Sequence, residues 1–567
     1  MAHQFKPVDR DSEMLLPHNM LDWVPEGHAV RVVISTVERL ATRDLIDRLV
    51  PPAPAGSAAG PARYDPVMLL AVWMYAYLRG VLSTRAVEDR CRYDATFRVA
   101  CGRQVPDHTT FSRFRRHLLA REHLAEDLFY QVLHVCGCAG LGRLGVVAGD
   151  GVKIAANASK EASRTGAGLR KLAAQVMDGA REAAAGDEAL EPPLPGTDLL
   201  LGADMAPGPD PRSRAGRIAA CLEELQGERE AAGAQAREQG KAYLEALAAG
   251  TAAAGRPPAA VALAAGQLRL EMAIAAEQAV LADWQARRAA GQRAAARPPA
   301  RPGTGKKARR ARARLEGLQA AAAAEAEKEA AGAGQGKPAQ PRRNVTDPDS
   351  RLMPVRGGGF IQGYNCQDAA ADDRLMLGGY ACQDTGDVLQ ARRLAQAAAK
   401  GAAVVAAAHA AHAGDPAALR ACHDRMCTLP EQARRDPGHD AACHHAMTSA
   451  IGVLVEDAGY HSEANLTAPG PDRLIADART RDLARRKPAE GPPPENATAV
   501  EANAHRLATP QGRAAYKRRA PDIEGLHASL KDQGGLRRFS LRGLHNATSE
   551  FLLAGLAHNL RLLAAIS

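Results

Sequence analysis

Two short apolar runs, roughly 300 residues apart in a chain of 567 residues, each deliver an aspartate. Leu144-Gly145-Val146-Val147-Ala148-Gly149 leads into Asp150-Gly151, and Ile451-Gly452-Val453-Leu454-Val455-Glu456 leads into Asp457. Such β-branched runs read as buried strands, and a carboxylate at a strand end sits on the rim of a sheet, where ligands and metals bind. If the strands are neighbours, the two carboxylates repel each other unless a proton or a cation intervenes. Mg²⁺, or Mn²⁺ in its place, suits such a site because it takes oxygen ligands and keeps waters and substrate phosphates in its shell. A third acid would complete a site for two ions that bracket a phosphodiester. The candidate is Glu524, flanked by Lys517, Arg518, Arg519, Lys531, Arg537, Arg538 and Arg542. An acid so surrounded also reads as a surface ion pair.

The elements that must position these residues follow from periodicity. Val30, Val33, Ile34, Val37 and Leu40 mark one face of a helix. Beyond a linker at Pro51–Pro61, a second helix is expected near Pro66 and a third near Ser83-Thr84. Asp107 or Thr109 caps a further helix whose first turns carry Arg113, Arg115 and Arg116. This succession resembles a helix-turn-helix, which places its Arg-rich helix in a DNA groove. The same residues also read as a solvated basic face with Phe111 and Phe114 in the core. Phe360–Ala369 and Leu375–Cys382 read as a hairpin, and Arg473–Ala476 as another strand. Helices are expected from Asp387 towards residue 410 and on to about 450, then at about 498–507, 513–533 and Thr548–Ala565, the last apolar on one face.

Between Lys171 and Gln340, 53 of 170 residues are alanine and the aromatics are Tyr243 and Trp284, so the compact cores lie on either side. Arg217–Ala249 and Leu263–Ala296 are each long enough for one helix, which suggests a helical hairpin or coiled coil. Lys306–Arg314 packs six basic residues into nine, a solvated face or arm that attracts phosphates. A net charge of +9 suits a polyanion without requiring one. No apolar run reaches the roughly 18 residues of a membrane span. The start lacks a basic-then-apolar leader, so a cytoplasmic place is expected. The ten cysteines include no CxxC pair. His409, His412, Cys422, His423, Cys427, Cys443, His444 and His445 crowd one region at spacings foreign to zinc sites, and reduced thiols are expected.

Taken in order, these blocks resemble the bacterial insertion-sequence transposases of the DDE class, of the IS-eleven-eighty-two type. The resemblance is carried by Tyr64-Asp65-Pro66, Gly80 to Arg85 with Glu88, and Pro106 to Phe114. It continues through Gly149 to Ser159, Thr346 to Met353 and Gly363 to Gln367. Asp457 to Tyr460 with Ser462 and Asn465, Tyr516 to Arg519, Glu524, Lys531 and Phe539 to Gly543 complete it. It implies an N-terminal all-α helix-turn-helix-like DNA-binding domain (1–135) and a ribonuclease-H-like mixed-sheet catalytic core. The core's first strand and block lie at 140–160, an Ala-rich helical insertion at 161–341, and its remainder with C-terminal helices at 342–567.

It also implies that Asp150, Asp457 and Glu524 bind two metal ions and catalyse cleavage of element ends and strand transfer. Arg113, Arg115, Arg116, Tyr516, Arg518, Arg519, Lys531 and Arg538 would contact DNA: terminal inverted repeats and target, held by a nucleoid-associated homodimer with no membrane. A Tyr/Arg/Glu/Lys signature surrounds the glutamate in that superfamily. Here Glu524 and Lys531 keep its spacing, but Ala520 stands where the arginine is expected, which leaves Arg518 and Arg519 as equal candidates. A DNA-binding protein without activity and a plain metal-dependent nuclease share most of these features.

Overall fold

The computed structural model describes residues 19–50, 63–188, 213–251, 255, 257–293, 297–332, 341–355, 357–412, 450–477, 480, 485 and 487–567. The Pro51–Pro61 linker and the histidine–cysteine cluster beyond His412 lie outside them. The seven described cysteines are free thiols. The chain divides into two compact units, one formed by Met1–Glu161 with Asp349–Ser567, the other by Ala162–Pro348.

The first unit opens with helices. α1 (Ala29–Leu40) buries Val30, Val33 and Val37 at the spacing that its sequence predicts. α2 (Arg43–Leu49) is followed by α3 (Pro66–Leu78), capped by the Asp65 carboxylate and started by proline. α3 is buried from Leu69 to Leu78, so it is a core helix with no polar face. α4 (Thr84–Tyr93), α5 (Ala95–Ala100), α6 (His108–Ala120) and α7 (Leu124–Cys138) follow. Asp107 caps α6: its Oδ1 accepts the Thr109 and Thr110 amides at 2.8 and 3.1 Å.

β1 (Val146–Ala155) does not stop at Asp150 as its apolar run suggested; it passes through the aspartate. Val152 and Ile154 alternate into the core beyond it, and a neighbouring strand pairs with β1 from Val147 to Ala155. An Asp-Gly pair bends a chain only where nothing holds it extended.

The second unit holds β2 (Ser163–Thr165), α8 (Gly166–Glu188), α9 (Arg214–Ala249), α10 (Ala259–Ala289), α11 (Lys306–Gly332) and β3 (Arg342–Asn344). β2 and β3 pair antiparallel, Ser163 opposite Asn344 and Thr165 opposite Arg342. Two long helices were expected and a third, α11, joins them. Its start is fixed by Glu277 of α10, whose Oε2 accepts the Gly303 and Gly305 amides at 2.9 and 3.2 Å. Leu169, Ile218, Cys221 and Val345 make a small core. α10 is long and apolar enough to cross a membrane, with mean hydropathy 1.4 over 18 residues, where the sequence reading found no such stretch. Glu271 on α10 pairs with Arg237 of α9 at 2.5 Å, as in a water-exposed helix array.

Back in the first unit come β4 (Arg351–Pro354), β5 (Phe360–Ala371) and β6 (Met376–Cys382), then α12 (Ala391–His412), β7 (Val453–Glu456), α13 (Glu463–Leu466), β8 (Arg473–Ile475), α14 (Ala499–Ala508), α15 (Pro510–Ala528) and α16 (Leu544–Ile566). One mixed sheet runs β6-β5-β1-β7-β8, with β4 also pairing β5. β1 is antiparallel to β5 and parallel to β7, and β7 is parallel to β8. α12 lies so close on β6 that a methyl on Gly401 would overlap the Leu377 carbonyl, so glycine is required there.

α16 differs from the one-sided helix expected, being buried almost throughout from Ala547 to Leu560. It lies between the sheet and the N-terminal helices. Asn559 clamps both backbone groups of Met376, donating and accepting at 2.9 Å, and Tyr77 of α3 donates to Glu550 at 3.4 Å. The N-terminal helices therefore form one body with the sheet.

Candidate active site

Register places the acids. Gly149 on β1 pairs with Glu456 on β7, so Asp457, the residue after β7, leaves the strand beside Asp150. There Asp457 caps the turn Ala458–Tyr460, its Oδ1 accepting the Gly459 amide at 2.7 Å. α15 crosses the same end of the sheet and aims Arg519 between the two. The Arg519 Nη2 stands 2.6 Å from Asp150 Oδ2 and 3.7 Å from Asp457 Oδ2. Burial raises the Asp150 carboxyl above the ordinary aspartate range; Arg519 opposes the rise and Asp457 adds to it. Two carboxylates from separate strands thus already share a cation.

The rest of the sequence-predicted set is distributed unevenly. Tyr516, one turn before Arg519, is half-buried, and burial raises its hydroxyl in the field of the same acids. Arg518 points away and pairs with Asp372 at 2.5 Å, so of the two arginines it is Arg519 that meets the aspartates. Glu524 is exposed and makes no ion pair or hydrogen bond among the described residues. At 100° per residue it stands off the face that buries Ile523 and Leu526. Among the described residues no three of His, Cys, Asp and Glu are grouped closely enough to hold a metal ion.

Lys531 lies in the π-helical turn Ser529–Gln533 that continues α15. Burial lowers its ammonium, and its nearest charged neighbours include Asp368. Arg538 is exposed next to the end of β1, where its backbone bridges Ala155.

Sequence reasoning missed two neighbouring sets. Asp368 stands directly opposite Asp150 across β1 and β5 and is fully buried. His527 of α15 meets it at 2.9 Å; burial alone would lower the imidazole, but the Asp368 carboxylate outweighs it and raises the ring above its ordinary value. Asp387 is held at Oδ1 by the side-chain amides of Asn365 and Gln367 at 2.8 and 2.7 Å, while Tyr460 donates to Gln367. A methyl on Gly151 would meet that oxygen at 2.5 Å, and one on Gly459 would meet Asp387 Oδ2 at 3.3 Å and Asp457 Oδ1 at 2.9 Å. The network therefore supports the loop that carries Asp457. Both glycines follow their aspartates closely in sequence, and that spacing was the available signal.

A second basic region lies on α4 and α6. Ser83, Thr84, Arg85, His108, Thr109, Ser112, Arg113 and Arg116 line a cavity of about 390 Å³. Arg113 and Arg116 are exposed there, and neither forms an ion pair among the described residues. Arg115 corrects the expectation of three DNA-facing arginines. It is 9% exposed, lies 4.6 Å over the Trp73 ring and donates to Leu82 O at 2.6 Å. Successive helical residues turn by 100°, so Arg115 faces inward with Phe111 and Phe114. Arg115→Ala is expected to cost about 2–3 kcal/mol in a denaturant melt, because it removes the cation–π interaction and the hydrogen bond together. Arg113→Ala with Arg116→Ala should leave the melt unchanged and weaken duplex binding. Equal effects of both changes on stability would refute the division.

Residues 18–117 match the family described as transposase domain (DUF772), and residues 493–564 match the transposase DDE domain. The first covers the α4–α6 cavity; the second covers α15 with Tyr516, Arg519, Glu524 and Lys531, and most of α16. No curated protein and no solved structure was found to match the chain. The two domain matches support a transposase, a nucleic-acid-processing enzyme.

Proposed function

We propose that the protein is a DDE transposase that cuts insertion-sequence ends and joins them to target DNA. The observation that carries this reading is the meeting of Asp150 and Asp457 on Arg519, at the edge of a mixed sheet and beneath the helix that matches the transposase DDE domain. The strand order, with an antiparallel pair on one side of β1 and parallel strands on the other, supports a ribonuclease-H-like core.

The donor set fits a hard divalent cation: two carboxylate oxygens converge on a site that already attracts one positive group, and Mg²⁺ needs few protein ligands when phosphates and water supply the rest. Asp150 and Asp457 would hold it, with Glu524 turning inward from its exposed position on α15. When bound, the metal supplies charge neutralisation at the scissile phosphate and a lowered pKa for water.

The chain's own residues do the remainder. Arg519, released from the aspartates, lies within reach of a phosphate at the same edge, with Tyr516 beside it. His527 and Asp368 back the Asp150 position, and the Asp387 network fixes the Asp457 turn. Arg113 and Arg116, with Arg85, place phosphates of the duplex. The test is to incubate the protein and Mg²⁺ with duplexes ending in the inverted repeats that flank its gene, and to look for new 3′-hydroxyl ends and for joined products on a plasmid. Cleavage without joining would leave a nuclease, and binding without either would leave a DNA-binding protein.

A further inference from the structure

We propose that the Lys306–Arg314 face of α11 docks on the DNA backbone, so that the inserted helical unit grips duplex through its phosphates. Lys306, Lys307, Arg309, Arg310, Arg312 and Arg314 are all exposed, and none has an ion-pair partner among the described residues. Elsewhere in the same unit three cations are matched, Arg237 with Glu271, Arg287 with Asp283 and Arg343 with Glu224, while no other stretch of it packs six basic residues into nine. Glu277, which stands at the start of α11, spends its Oε2 on the Gly303 and Gly305 amides. The nearest downstream in sequence, Glu316, forms no ion pair among the described residues.

The arrangement works against the helix that carries it. Lys306 and Arg310, Arg310 and Arg314, and Arg309 and Arg312 are like charges at three- and four-residue spacing, each pair unfavourable by a few tenths of a kcal/mol. Cations in the first turn also oppose the helix dipole. α11 therefore gains from an anion laid along it. At 100° per residue Lys306, Arg310 and Arg314 drift slowly round one side, with Lys307 beside them. From Lys306 to Arg314 the helix rises about 12 Å, a length along which duplex DNA presents about seven charges at one per 1.7 Å. A polyanion with regular charge fits this face better than a single anion, because the cations are spread along the exposed side of the helix, Arg314 also lining a cleft with Tyr243, Gly266 and Arg269. The choice of DNA among polyanions rests on the transposase reading above.

The experiment uses the full chain, without divalent metal, on a random-sequence duplex across a range of salt concentrations. Replacing the six cations by glutamine is expected to flatten the plot of log affinity against log salt by about 3, at about 0.9 for each phosphate no longer neutralised by the Lys306, Arg310 and Arg314 row that one duplex can follow. Circular dichroism is expected to show equal or greater helix content. A milder variant, Lys306→Gln with Arg310→Gln, should flatten it by about 2 and guards against misfolding of the larger one. An unchanged slope in a folded variant overturns the proposal, as does loss of binding to anionic phosphatidylglycerol vesicles with DNA binding intact. If the parent cleaves element ends while the arm variants keep the parent slope, only the arm proposal falls. If the parent binds duplex with the expected arm dependence but never cleaves, only the transposase reading falls.

Discussion

Asp150→Asn is expected to reduce cleavage of element ends on the order of a thousandfold, the scale of removing one preorganised group at a reacting centre. The amide keeps the shape of the carboxylate but removes one of the two charges that meet at Arg519. A cation site that loses half of its protein charge loses most of its affinity. Asp457→Asn should behave alike, since its oxygen shares the same guanidinium. Neither change should weaken duplex binding measured without metal. Because Asp150 is buried and pressed by Asp457, the amide should also leave the melting temperature equal or slightly higher. Mn²⁺ binding followed by calorimetry supplies a readout independent of turnover. Glu524→Gln is the discriminating partner: an equal loss means that the exposed glutamate does reach the aspartates. Full activity of Asp150→Asn would remove this edge from the chemistry altogether.

Folding stability measured without divalent metal is expected to fall as pH rises through about 8, and Glu456→Gln to remove most of that fall. Glu456 is fully buried on β7, and neither carboxylate oxygen has a hydrogen-bond partner among the described residues. Arg473 lies close enough to act on it but spends its bonded nitrogen on Asn465 O at 2.9 Å. Burial pushes the Glu456 carboxyl up to about 8; Arg473 opposes the rise and Asp457 adds to it. A folded value above the unfolded one means stability that is complete below about 4.5 and lost as pH rises through about 8. The span corresponds to roughly 5 kcal/mol, as an order of magnitude. The glutamine variant should therefore melt well above the parent at about pH 9 and close to it at about pH 5. Parallel pH profiles for the two proteins would show that Glu456 ionises freely.

Much of this arrangement was legible in the residues. The strands before Asp150 and Asp457, the β5–β6 hairpin, the helix start at Pro66, the cap at Asp107 and the long helices follow from apolar period and capping chemistry. These are local signals, and tertiary packing left them in place. Three things were hidden because they depend on partners distant in sequence. Arg115 and its neighbours are all cations to the eye; only the position of Trp73 makes one of them a core residue. The Asp368–His527 pair joins a strand to a helix far along the chain. Asp387 is an acid at a helix approach until Asn365 and Gln367, on another strand, close around it. The side of α15 that faces the sheet was hidden for the same reason. Tyr516, Arg519 and Ile523 share one face at helical spacing, and Glu524 falls beside it.

The β2–β3 ribbon has a bearing on how this chain can fold at all. Asp150's strand and its antiparallel partner are separated by the whole of Ala162–Pro348, and closing a floppy loop of that length would cost about 4–5 kcal/mol in chain entropy. The pairing of Ser163 with Asn344 and of Thr165 with Arg342 ties the two ends of that unit together. For the sheet, the connection then shortens to residues 156–162 and 345–362, with an entropy cost about 2 kcal/mol smaller. The inserted unit can thus lengthen, shorten or change its sequence without altering the probability that β1 finds β5, provided that its two ends still meet.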